Sequence, residues 1–158
     1  MNSIRFVAMS TEVVEALQSG QPDANGQTPE RHLSDGDGVP CRHCLTDVPK
    51  GEPYLILHYR PFPEPQPYAE SGPIFLHADA CPRYAETAAT PSVFLCREDV
   101  LLRGYNRENR IVYGTGQVVK TGDIVSAAQH IFERPDVAYI HARSTTNNCY
   151  QCRLERGN

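Results

Sequence analysis

What the chain lacks narrows the field first. No run in its 158 residues approaches the ~18–20 consecutive apolar residues of a membrane-spanning helix. The N-terminal MNSIRFVAMSTEVVEAL has no apolar core of signal-peptide length and soon turns acidic, so export is not expected. An excess of positive charge is missing too. The formal net charge is −4, where a generic nucleic-acid binder shows a basic face. The balance runs −4 over residues 1–40, −2 over 41–96 and +2 over 97–158. Only the C-terminal part leans basic, which argues against nucleic acid as a partner. Internal repeats are absent. The DGDG of residues 35–38 has the composition of a calcium loop, but Pro40 falls where such a loop needs its glycine. Gly114-Thr115-Gly116 lacks the Gly-Lys-Ser/Thr that would continue a phosphate-binding loop.

What is present is cysteine and proline, six and 13 residues respectively. Without an export signal the expected compartment is the reducing cytoplasm. There an even cysteine count points to metal or catalysis more than to disulfides. A chain this long buries roughly 68–70% of its unfolded surface and needs no staple to fold. One domain is expected, in three parts: a strand, helix and loop over 1–40, a metal lobe over 41–89, and an α+β part over 90–158.

Local patterns fill in this outline. Ile4–Ala8 reads as a strand, and Ser10 or Thr11 can cap a helix running to about Ser19, which Gly20 and Pro22 stop. The Gly-, Pro- and Asp-rich stretch that follows, to Pro40, reads as a surface loop. Pro53–Tyr59 and Gly72–His77 read as strands. Between them PFPEPQPY, with a proline at every second position, should be extended and outside any central ladder. Pro82–Ala89 reads as a short helix entered through Cys81-Pro82. Ser92–Cys96 and Ile111–Val119 read as strands, and Asp123–Glu133 as an amphipathic helix. Val137–Ala142 and Tyr150–Leu154 could pair as a hairpin across STTNN. The expected fold is α+β, with short antiparallel strands and two or three helices.

Cys41-x-x-Cys44, and His77 three residues before Cys81, make three thiolates and one imidazole, the soft N/S set zinc favours at spacings typical of structural sites. The succession of cysteine turn, strand, return strand and helix start resembles a treble-clef zinc finger over Cys41–Ala89, apart from its long proline-rich connection. Four protein ligands leave no open position, so the zinc would be structural. His43, between the two cysteines, is a possible substitute ligand but is expected to face outward. If the metal were lost, this lobe should loosen while the rest of the chain keeps its own core.

A second pair, Cys149-x-x-Cys152, would point to opposite faces of a strand, since a spacing of three breaks the two-residue period. The pair stands open between inert thiols, a redox or second metal site, and a Cys149 nucleophile activated by His141.

PCRHCL, GEPYLILHYRPF, PYAESGPIFLHA, LLRGY, VAYIHARS and NNCYQCRLER together resemble the family grouped as domain of unknown function 1203, from about Phe6 to Arg156. The resemblance implies a bacterial single-domain protein and lends no activity or catalytic residues. It also implies that the shared function lies with PYAESGPIF and the C-terminal Cys-x-x-Cys-Arg rather than with the metal quartet. Tyr68, Glu70, Arg103, Tyr105, His141, Arg143, Asn148 and Cys149 lie in or beside those apolar strand segments. They could line a pocket for a small anion, Arg103 and Arg143 supplying charge-assisted hydrogen bonds. The first expectation is therefore a zinc-stabilised domain that binds a small molecule or a protein without catalysis. The alternative is a small enzyme using Cys149 with His141, or an Arg/Glu-lined pocket. Nucleic-acid binding by the metal lobe comes third.

Overall fold

The computed structural model describes residues 3–158. In chain order its elements are β1 (Ile4–Val7), α1 (Thr11–Gln18), β2 (Glu30–Leu33), β3 (Pro53–Tyr59), β4 (Gly72–His77), α2 (Ser92–Leu95), β5 (Asp99–Tyr105), β6 (Gln117–Lys120), α3 (Ile124–Ile131), β7 (Tyr139–Arg143) and β8 (Tyr150–Arg156). A single 3-10 turn, Thr121–Asp123, leads into α3. The strands form two antiparallel sheets: five strands in the order β1-β8-β7-β5-β6, and three in the order β2-β3-β4. The fold is α+β, as the sequence pattern predicts. Among the described residues no helix is long and apolar enough to cross a membrane.

Each sheet has its own core. Period-two alternation sends Phe6, Val100, Leu102, Ile140, Ala142 and Leu154 to one face of the five-stranded sheet. There they meet Phe94 of α2 and Ile124, Ala128 and Ile131 of α3. The smaller core lies on the three-stranded sheet. Val14 and Leu17, three apart on α1, share it with Leu55, Leu57, Ile74 and Leu76, and with Cys41 and Cys44. Ser10 caps α1 by accepting the Val13 N–H, with Glu12 in the first turn. The chain then turns away at Gly20, whose φ of +96° favours glycine.

Several local expectations are corrected. Pro82–Ala89 is not helical but irregular and extended. Its polar groups are taken up by tertiary partners: Arg83 donates to the carbonyls of Ala8 and Met9, the Tyr84 N–H to His43, and Thr87 accepts from the Phe6 N–H. Ser92–Leu95 is a helical turn rather than a strand. Its consecutive Val93 and Phe94 are both buried, which a two-residue period cannot achieve. The strand expected over 111–119 shrinks to a bridge at Ile111 and the separate β6, because Gly114 turns the chain at φ +90°. β2 lies within the stretch read as loop, its four residues all exposed. β5 was not expected as a strand at all.

Candidate metal centre and the adjoining recess

Cys41 and Cys44 sit in a tight knuckle closed by the Pro40–Asp47 bridge, with Leu45 in the left-handed region at φ +56°. The Cys41 amide donates to Thr46 and the Leu45 amide to Cys41. His77 ends β4, and Cys81 follows after a short turn. The four side chains bring one ligand atom each to within 4.8 Å of one another. Cys41 Sγ lies 3.9 Å from Cys81 Sγ, and Cys44 Sγ lies 3.5 Å from His77 Nδ1. A tetrahedral ion with bonds of about 2.3 Å to sulfur and about 2.0–2.1 Å to nitrogen requires edges of about 3.8 and 3.6 Å. The observed edges match, so this quartet could hold a metal ion.

The surroundings are arranged for thiolates. Each sulfur has a hydrogen-bond partner from outside the quartet's side chains: the His77 N–H donates to Cys41 (3.3 Å), the Thr46 hydroxyl meets Cys44 (3.0 Å) and His43 Nδ1 meets Cys81 (3.1 Å), and thiolates at Cys44 and Cys81 would accept from these two. Donation by Nδ1 leaves His43 Nε2 to accept from the Thr11 hydroxyl at 2.9 Å. The expectation that His43 faces outward is therefore corrected: it is buried, and burial pushes its pKa down, keeping the ring neutral. Without a cation, hydrogen bonds from Cys44 and Cys81 pull the Cys41 thiol to about 2, while the same contacts push Cys81 up. On the far side of His77, Glu52 Oε2 stands 3.6 Å from Nε2, where an outer carboxylate orients a ligating imidazole. Sequence spacing found the four ligands but none of these outer groups, because each reaches the site through a turn or a buried packing contact. The missing helix after Cys81 also removes one of the three elements of a treble clef.

The opposite face of the five-stranded sheet carries the second site. Tyr139, His141 and Arg143 alternate along β7, with Arg103 and Tyr105 on β5 in register with His141 and Tyr139. The proline-rich connection lies over them and lowers Phe62 onto Tyr105 and His141, at ring-centroid distances of 5.3 and 5.2 Å. His141 is boxed by Phe62, Tyr105, Tyr139 and Tyr150. Its Nδ1 has no partner among the described residues, and burial, then the Arg143, Arg153 and Arg103 charges, hold its pKa well below the usual range. No hydrogen bond joins His141 to Cys149 among the described residues.

Glu70 bridges two guanidiniums at the end of the proline-rich connection. One oxygen accepts from Arg103, the other from Arg143 Nη2 at 3.0 Å. Arg143, 6% exposed, also donates from Nε to Asn148 at 2.9 Å, and its buried Nη1 has no partner among the described residues. Glu70, Arg143, Asn148 and Cys149 meet at a recess of about 240 Å³, with Tyr59 and Tyr150 in its wall. Arg103 stands behind Glu70. Tyr68 is elsewhere, edge-on to Tyr113 and under Arg110. A bulge at Ala142/Arg143 pairs Arg143 with Tyr150 and sends Cys152 into the main core, where burial pushes its thiol pKa up. Cys149 stays half-exposed at the recess, so the two thiols face different surroundings.

Residues 38–156 match the family model described as Protein of unknown function (DUF1203). The chain belongs to this family. The DUF1203 match takes in the knuckle, all four candidate ligands and the whole recess, and leaves out β1, α1 and β2. Comparison with curated proteins and with solved structures gives no match.

Proposed function

We propose that this DUF1203 protein is a zinc-stabilised binding domain, in which Cys41, Cys44, His77 and Cys81 hold a structural zinc ion and the Arg143 recess takes a small molecule without transforming it. The observation that carries the metal assignment is the three-thiolate, one-imidazole set within 4.8 Å, two of its edges at tetrahedral length, with an outside hydrogen-bond partner on every sulfur. Soft sulfur ligands at this geometry select zinc over magnesium or calcium. With all four positions filled by protein, the ion has none left for substrate, so its role is to staple. Six free cysteines suit a reducing compartment such as the cytoplasm. A net charge of −4 suits a small molecule better than nucleic acid.

Metal content per chain in purified protein tests the assignment. One zinc per chain is expected, falling steeply in Cys44→Ser and unchanged in Cys149→Ser. Full zinc retention by Cys44→Ser would sink the quartet.

A further inference from the structure

We infer that the recess recognises the oxyanion headgroup of a small ligand, with Arg143 as its receptor and Glu70 as a built-in competitor for the same guanidinium. The inference rests on the binding-domain reading above and names the ligand class. Charge is its first support. Two guanidiniums, Arg103 and Arg143, share the single carboxylate of Glu70, so the cluster carries one uncompensated positive charge. The ring beside them, His141, is held neutral and does not alter that balance. A buried cation left short of negative charge is costly, and one bound monoanion relieves it.

Hydrogen bonding is the second support. Arg143 offers its donors in a fixed planar fork. Nε is satisfied by Asn148 and Nη2 by Glu70, whereas Nη1 is buried with no acceptor. Arg143 lines the recess, and an oxyanion there supplies the missing acceptor as a charge-assisted bond once a small side-chain shift uncovers Nη1. Size and lining then limit the ligand. The recess holds about 240 Å³, under the roughly 300–1,000 Å³ of drug-sized sites. Its wall alternates aromatic and proline surfaces with Ser71 and Asn148. That suits a small carboxylate, or an equally small phosphate monoester, with a short apolar body.

The test is titration of zinc-analysed protein with butyrate and with inorganic phosphate, against chloride at matched ionic strength, followed by calorimetry and arginine side-chain NMR. Saturable binding at or below about 10 mM is expected, with the Arg143 Nε resonance moving. Stronger response to butyrate assigns a carboxylate headgroup, and stronger response to phosphate a phosphate one. Arg143→Gln should weaken binding about tenfold or more. Because that change also strips Glu70 of a partner and could disturb folding, Glu70→Gln is the decisive variant. It keeps the side-chain shape, removes the competing charge and should tighten anion binding several-fold. Binding unchanged or weakened in Glu70→Gln overturns the inference, as does a wild-type protein that neither probe saturates. If zinc is stoichiometric and no anion binds, the ligand class fails while the staple stands. If anions bind to protein without zinc, the reverse holds.

Discussion

At the scale of single residues, His141 separates two ways of reading a histidine near a cysteine. Sequence proximity to Cys149 suggested a base; the structure instead packs its ring among four aromatic rings with Nδ1 unsatisfied. The sign of its pH effect follows from the depressed pKa. Below the ordinary histidine value of 6.5 the unfolded chain takes up a proton that the folded chain refuses, so folding stability falls as pH drops through and below that value. His141→Phe should keep the neutral-pH midpoint within about 1.5 kcal/mol and flatten the loss of stability between pH 7.5 and 5. Thermal melts of both proteins across that range check this, and parallel slopes would show that His141 is not the proton sink. The same scale shows what sequence can convey. Metal ligands announce themselves by spacing because zinc dictates it. A buried arginine such as Arg143 is indistinguishable from a surface one until the carboxylate opposite it, 73 residues away in the chain, is located.

At the scale of elements, legibility follows the burial pattern. β3 and β4 were read with their observed ends, since turn residues bound both and each buries alternate residues. β2 was invisible because neither of its faces is buried; it is held by backbone pairing to β3 and by exposed polar side chains, which leaves no hydrophobic period to read. Ser92–Leu95 shows the opposite difficulty, a serine and three consecutive apolar residues, too short a run to separate strand from helix. β5 was missed where Gly104 interrupts it, and that glycine has a definite duty. A Cβ there would stand 3.0 Å from Thr115 Oγ1 and 3.2 Å from its carbons. Thr115 has little room to yield, being buried and bonded by its hydroxyl to the Gly104 N–H and the Val112 carbonyl. Gly104→Ala should therefore cost about 1–3 kcal/mol, read from urea midpoints. A neutral or stabilising result would mean that β5 and the 112–115 turn are free to separate.

At the scale of the whole molecule, the two cores divide the effects of metal loss. The main core contains none of the four ligands, whereas Cys41 and Cys44 are part of the smaller one. Chelation should accelerate amide hydrogen exchange in the knuckle, β3, β4 and α1 while β1, β5, β7 and β8 stay protected. Helix α1 belongs with the metal side because Thr11 meets His43, and Gln18 donates to the carbonyls of His77 and Asp79. Uniform loss of protection across both sheets, or none at all, would contradict this division.

Arg42 carries the last consequence. It lies between the two knuckle cysteines yet points away from them, buried, donating from Nε to the Tyr150 carbonyl at 2.8 Å and from Nη1 to that of Pro40. Burial lowers its pKa to about 10, with no carboxylate bonded to it among the described residues. One end of this peptide segment is thus the metal clasp. The other is pinned where β8 leaves the turn that supplies Asn148 to Arg143. If the quartet holds zinc and the recess an anion, the two are linked through this shared segment: whatever factor zinc adds to anion affinity, the anion must return to zinc affinity in equal measure.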